Sequence, residues 1–154
     1  MSLHTPRLEI CVATQRLSRW DGRRLLHEWP CSTSKFGLGT QPGSYKTPLG
    51  NFIVKEKHGD AAPCGTIFKS RQPVGLWQPG MDTQNDLVLT RILWLHGSQA
   101  HNANTYDRYI YIHGTNDEAR IGRPASHGCI RLKNKDVIEL FDLTPVGTPV
   151  WINE

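Results

Sequence analysis

Along the chain, apolar residues recur in short runs punctuated by glycine and proline, a spacing that suits strands and turns rather than long helices. "RLEICVAT" (7–14) and "RLLHEWPCS" (24–32) read as strands. The link between them, "QRLSRWDGR", carries Asp21-Gly22, a hairpin-turn pair. "KFGLGTQPGSYKTPLG" (35–50) has no helical period and predicts an ordered loop, and "NFIVKEK" (51–57) predicts a short strand. Turns are predicted beyond it, where Pro63, Gly65, Pro73, Gly75, Pro79 and Gly80 break the pattern. "DLVLTRILWLHG" (86–97) fits a buried strand pair or one bent strand. In "RYIYIHG" (108–114), alternation places Arg108, Ile110 and Ile112 on one face and Tyr109, Tyr111 and His113 on the other.

One helix is predicted, in "NKDVIELFDLTP" (134–145). Asn134 can cap its first turn, Asp136 sits where the helix dipole favours an acid, and Pro145 ends it. Val137, Leu140 and Phe141 form its apolar stripe. "TPVWIN" (148–153) then returns as a terminal strand. With no repeat or linker, the chain predicts a single domain over 1–154, its core spanning about 7–153. The fold class is mainly β, a sandwich or partly open barrel with one short helix near the C-terminus. At 154 residues, such a domain can bury a core without metal or disulfide staples.

Composition narrows the function. Hydrophobic residues make up 38% and charged residues 21%, ordinary for a soluble globular protein. The net charge is +4, but the basic residues are dispersed and form no stripe or nucleic-acid motif. Nucleic acid is therefore not an expected partner, whereas a small anionic substrate suits the mild positive charge. No window approaches the ~18 apolar residues of a membrane span. "MSLHTPRLEICVATQ" also lacks the roughly 7–15-residue apolar stretch of a secretory signal. The expectation is a cytoplasmic protein with no membrane contact, or a periplasmic one if a leader has been removed. Cys11, Cys31, Cys64 and Cys129 show no paired spacing and read as free thiols.

Cys129 differs from the other three in its surroundings. In "ASHGCIRL", Gly128 allows a sharp turn before it. If 129–132 is extended, Cys129 and Arg131 share one face while Ile130 and Leu132 enter the core. A guanidinium there favours the thiolate and can bind a substrate carboxylate. A thiol that titrates near 8.5 also needs a base. His113, ending a neighbouring strand, is favoured for that role, with His127 in a supporting or oxyanion-side position. A zinc reading would use His113, His127 and Cys129 with His96 or His101 as fourth ligand. It lacks the dense ligand pairs typical of zinc, so no metal or cofactor is expected.

"YIHGTNDEARIGRPASHGCIRLKNKDVIELFDLTPVGTPVWI" resembles the catalytic core of the L,D-transpeptidase (YkuD) family, whose signature is an upstream HG, a gap of about a dozen or more residues, then SHGC. "KTPLGNF" (46–52) and "TRILWLHG" (90–97) are also similar to family segments, so the resemblance spans roughly 7–153. It implies a mostly β fold and a cysteine acyl-enzyme, with Cys129 as nucleophile and His113 as general acid/base. It further implies that the Gly114 carbonyl orients His113. Ser126, His127 and Gly128 would shape the turn, and main-chain N–H groups near Gly128 and Cys129 would hold the oxyanion. Arg131 and Ser126 become candidate substrate-binding residues, although many members carry Asn where Arg131 stands.

The implied substrate is a peptidoglycan stem tetrapeptide, cut between its third residue, often meso-diaminopimelate, and terminal D-Ala. Carbapenem-type β-lactams become candidate ligands of the thiol. Without a leader, L,D-carboxypeptidase action in muropeptide recycling is the favoured expectation. Periplasmic transpeptidation, forming 3-3 cross-links or attaching proteins to the wall, is the alternative. A non-catalytic peptidoglycan-peptide binder is the alternative of another class.

Overall fold

A computed structural model describes residues 6–81 and 84–154; residues 1–5, part of the stretch searched above for a leader, lie outside it. Among the described residues ten strands and one α-helix are found. They are β1 (Arg7–Cys11), β2 (Arg16–Asp21), β3 (Arg24–Pro30), β4 (Gly50–His58), β5 (Thr66–Lys69), β6 (Gln72–Leu76), β7 (Val88–Gly97), β8 (Tyr111–Gly114), β9 (Ile130–Leu132), α1 (Asn134–Leu143) and β10 (Pro149–Asn153). The strands form one sheet in the order β3-β2-β1-β10-β4-β7-β5-β6, with β8 added to β7 and β9 to β8. The result is the expected mainly β architecture, an unclosed sheet with one helix near the C-terminus.

The sheet's centre is β7, which pairs with β4, β5 and β8. Its run of apolar residues, nearly all buried, reflects cover on both faces rather than one. Leu93 and Leu95 join Ile112, Ile130 and Leu132 in the main core, under Val137, Leu140 and Phe141 of α1. Ile92 and Trp94 point the other way, into a smaller cluster with Phe68 and Tyr111. The alternation of 92, 94 against 93, 95 is the period-2 signature of a strand, doubled by two apolar layers. At the chain ends, β1 and β10 pair in parallel, Ile10 opposite Ile152.

Several elements differ from the sequence reading, each for a local reason. The presumed link before Asp21-Gly22 is itself β2, whose buried Leu17 and Ser18 lie between Arg16 and Arg19, which obscure its period. Gly22, at φ 60, turns the β2–β3 hairpin, so the turn is where the Asp-Gly pair placed it. The turn-rich middle contains the β5–β6 hairpin. All five residues of β6 are exposed, so no hydrophobic period marks it. Pro73 is tolerated because β6 is an edge strand.

Residues 108–110 are not part of β8; Tyr109 sits at φ 58 and closes a turn. Residues 86–97 contain one bent strand, its register shifting between Leu89 and Ile92. The cap of α1 is Lys133 rather than Asn134. The side chain of Asn134 instead accepts from Thr90 Oγ1 (2.6 Å) and donates to the Thr115 carbonyl (2.8 Å). Glu118 Oε2 accepts from the Asn134 main-chain N–H (2.7 Å) and supplies the negative charge that the helix start favours.

Leu140 is fully buried between α1 and the sheet. Leu140→Ala should cost about 2–5 kcal/mol of unfolding free energy. Urea denaturation checks this: the midpoint falls with little change in the slope.

Candidate active site

The site grows from the parallel pairing of β8 with β9, which sets Ile112 opposite Ile130 and His113 opposite Arg131. One position earlier, the Tyr111 N–H donates to Cys129 Sγ (3.3 Å), and the thiol lies 3.3 Å from the Tyr109 carbonyl. His113 and Cys129 are thus diagonal neighbours on one face of the ladder. Ile130 and Leu132 face the core as the alternation required, fully buried. Two strands in parallel need a crossover of a dozen or more residues, which accounts physically for the gap between the two HG pairs.

His113 is 1% exposed, and its Nδ1 lies 2.5 Å from the Gly114 carbonyl oxygen. A carbonyl only accepts, so Nδ1 carries the proton and Nε2 keeps the lone pair of a base. Gly114 is packed so tightly that a Cβ there would meet Asn134 Oδ1 and the Leu89 carbonyl. The residue whose carbonyl orients His113 is therefore packed closely against both β7 and the start of α1.

The turn before Cys129 is stitched by Ser126, whose hydroxyl donates to the Cys129 carbonyl (2.6 Å) and accepts from the Gly128 N–H (3.2 Å). Gly128 sits at φ 121, a conformation side chains disfavour, and its carbonyl accepts from Thr47 Oγ1 (2.9 Å). Ser126 is fully buried, and both of these bonds serve the turn. His127 projects outward, contacts the rings of Phe36 and Tyr45, and places Nδ1 3.0 Å from Asp86 Oδ2.

Arg131 differs from the open cation the sequence suggested. It is 3% exposed, its Nη2 lies 2.9 Å from Asp86 Oδ2 and its Nη1 3.5 Å from Asp117 Oδ2. Its guanidinium is a buried, charge-balanced group. Ser32 extends β9 on its far edge by exchanging two 2.9 Å main-chain bonds with Arg131. Asp86, Asp117, His127 and Arg131 line an open cleft of about 490 Å³ with Lys35 and Arg120.

Asp86 is the site residue that sequence reasoning missed, and no motif marks it. Burial pushes its carboxyl up, but His113, Arg131 and His127 outweigh burial and hold it below the ordinary value. Burial pushes His113 down, against the opposing pull of Asp86 and the Gly114 carbonyl. Burial also pushes the Cys129 thiol up to about 12; the Tyr111 N–H opposes this, Asp86 reinforces it, and Arg131 and Arg108 oppose it. Both shifts favour the uncharged forms, thiol and neutral imidazole, near neutral pH.

On the other side of the thiol lies an aromatic group absent from the sequence reading. Trp94 stacks on Tyr106 (3.9 Å between centroids) and meets Tyr111 edge-on at 5.5 Å. Cys129 packs against this cluster.

A family model described as the L,D-transpeptidase catalytic domain, YkuD, matches residues 5–152. The chain belongs to that family. It is 44% identical over 146 residues to a Bacillus licheniformis protein named as the L,D-transpeptidase YkuD, covering 95% of this chain and 64% of that one. The YkuD of Bacillus subtilis is 62% identical over 42 residues, 27% of this chain and 26% of its own. The chain thus spans less than two thirds of these relatives. An L,D-transpeptidase from Mycobacterium smegmatis superposes with a TM-score of 0.65 at 18% identity, over 98% of this chain and 59% of that one. L,D-transpeptidase 3 from Mycobacterium tuberculosis, solved with a faropenem-derived adduct, gives 0.63 at 18% identity, over 98% and 61%.

Replacing Asp86 by Asn removes the negative charge that penalises the thiolate, so the pKa of Cys129 falls. The same change withdraws the carboxylate that favours the His113 imidazolium, so the pKa of His113 falls as well. Alkylation of Cys129, followed at its own peptide by mass spectrometry, should reach half-rate at lower pH in Asp86→Asn than in wild type. The His113 imidazole titration in NMR should move in the same direction.

Proposed function

We propose that the chain is a cysteine acyl-transfer enzyme acting on peptidoglycan stem tetrapeptides. The observation that carries this reading is the β8–β9 ladder, which sets a thiol and an imidazole with its Nδ1 proton pinned on one face. Membership of the L,D-transpeptidase family supports it. In this mechanism Cys129 Sγ attacks the carbonyl between the third residue and D-Ala. His113 Nε2 takes the thiol proton as the S–C bond forms and returns it to the amine of the departing D-Ala. Main-chain N–H groups at the 127–129 turn meet the oxyanion. Gly128 contributes through its conformation, since its own N–H is bonded to Ser126.

The thioester then passes to an acceptor. An amine of a second stem peptide yields a cross-link, and water yields a tripeptide. The names of the relatives make the amine the first acceptor to try, and hydrolysis is the second branch of the same chemistry. A β-lactam carbonyl is an alternative electrophile for the same thiol, as the adduct on the mycobacterial protein suggests.

Incubation with a purified tetrapeptide muropeptide, with and without a second stem peptide, tests the proposal. D-Ala release should fall by roughly a thousandfold or more in Cys129→Ala. In His113→Gln it should fall by roughly 10²–10⁴-fold. Undiminished release from Cys129→Ala would sink the reading. Dimer or tripeptide as the product identifies the acceptor.

A further inference from the structure

Two guanidinium groups act on the thiol, and both are committed; a third lies on the aromatic cluster beside it. Arg131 is buried against Asp86 and Asp117. Arg108 donates to the carbonyls of Gly39 (3.2 Å) and Lys46 (2.8 Å), holding the 35–50 loop. Arg71 is the third. It comes from the tip of the β5–β6 hairpin, is only partly buried, and makes one described hydrogen bond, from Nη1 to the Tyr111 hydroxyl (3.4 Å). Its guanidinium lies over Trp94 at 4.8 Å and over Tyr109 at 5.4 Å. Stacking of this kind fixes the plane of the fork and leaves its remaining N–H edges for a planar anion.

The hairpin's own sequence supports a role beyond turning the chain. Ser70 and Arg71 are its two central residues, both at positive φ (49 and 63). Two-residue hairpins of that geometry favour asparagine, aspartate and glycine, above all glycine at the second place. An arginine there is a local misfit with the turn, so the turn alone does not account for it. The platform beneath it is anchored as well: Trp94 Nε1 donates to the Tyr106 carbonyl (3.0 Å), and the Tyr106 hydroxyl donates to Glu56.

One residue ties this platform to the thiol. Tyr111 holds Cys129 Sγ with its main-chain N–H and Arg71 with its phenol. Arg71 therefore stands one tyrosine side chain from the reacting sulfur. An acyl donor whose carbonyl carbon is at Sγ, and whose long side chain runs along that ring, would carry the end of its side chain to the guanidinium. We propose that Arg71, seated on Trp94, Tyr109 and Tyr111, is the subsite for a carboxylate at the end of the third residue's side chain. Specificity would then favour a free diaminopimelate-type carboxylate over its amide or a lysine. This inference rests on the part of the proposed function that seats a stem peptide with its third residue at Cys129.

Binding to the Cys129→Ala protein separates the two ideas, with Trp94 fluorescence or calorimetry as readout. The probes are tetrapeptides whose third residue is meso-diaminopimelate with a free side-chain carboxylate, the same residue amidated there, or lysine. The free carboxylate should bind roughly tenfold tighter than the amide, a preference weakened by salt. Adding Arg71→Gln should erase that preference by weakening only the carboxylate peptide, and Arg71→Lys should restore part of it. Equal loss for carboxylate and amide peptides in Arg71→Gln would mark a merely structural role and overturn the subsite. Unchanged affinity, or no binding of any probe, would overturn it too. If the preference holds but wild-type protein releases no D-Ala, the subsite stands and the acyl-transfer reading fails; Cys129-dependent release indifferent to Arg71 is the reverse result.

Discussion

Parallel pairing of β8 with β9 sets His113 opposite Arg131 and brings the Tyr111 N–H against the Cys129 thiol, and it requires the long crossover between them. Every other feature of the site works to hold that register. Asn134 and the Leu89 carbonyl pack closely on Gly114 and leave no room for a side chain there. Ser32 closes the free edge of β9. Ile130 and Leu132 lock the strand's face into the core, because a slip by one residue would bury the cysteine side and expose both. Helix α1 takes part as well, spending its first residue on the β7–β8 junction instead of on its own cap.

The charges answer to the same geometry. Burying Arg131 under β8 is costly unless a carboxylate follows it, and Asp86 supplies one. That single carboxylate also meets His127 and favours a proton on His113, so three basic groups share one acid. Its effect on the thiol is opposite, since a negative neighbour discourages a thiolate. The thiol and the imidazole are thereby held in their neutral forms rather than as a resting ion pair. Such a neutral pair also tolerates the apolar cluster that packs against the cysteine.

How much of this was legible in the sequence depends on how local each signal is. The alternation in "IRL", the stripe of α1 and the Asp-Gly hairpin all rest on neighbours in the chain, and each holds in the structure. The pairing of His113 with the region of Cys129 was legible because the SHGC segment and the upstream HG each mark themselves. Asp86 carries no mark: it enters the site through the path of the loop before β7, which only the fold reveals. The same applies to Arg131, whose position on the strand was read correctly while its burial was not. Strand β6 escaped because an edge strand with every residue exposed has no period to detect.

The aromatic layer completes the logic of the two cores. A strand as apolar as β7 needs cover on both faces, and α1 with the main core covers only one. Phe68, Tyr106 and Tyr111 cover the other, and Ile92 and Trp94 are the buried residues of β7 that meet them. That cover is thin enough for Tyr109 to stay 54% exposed and for Arg71 to reach across it. A single solution to a packing problem therefore also builds the wall beside the thiol. Substituting Trp94 would disturb the strand, the wall and the seat of Arg71 together, whereas changing Arg71 removes only the guanidinium laid over that ring and leaves the apolar packing of β7 in place. For this reason the exposed hairpin tip, rather than the buried ring beneath it, is where the sequence can vary at little structural cost.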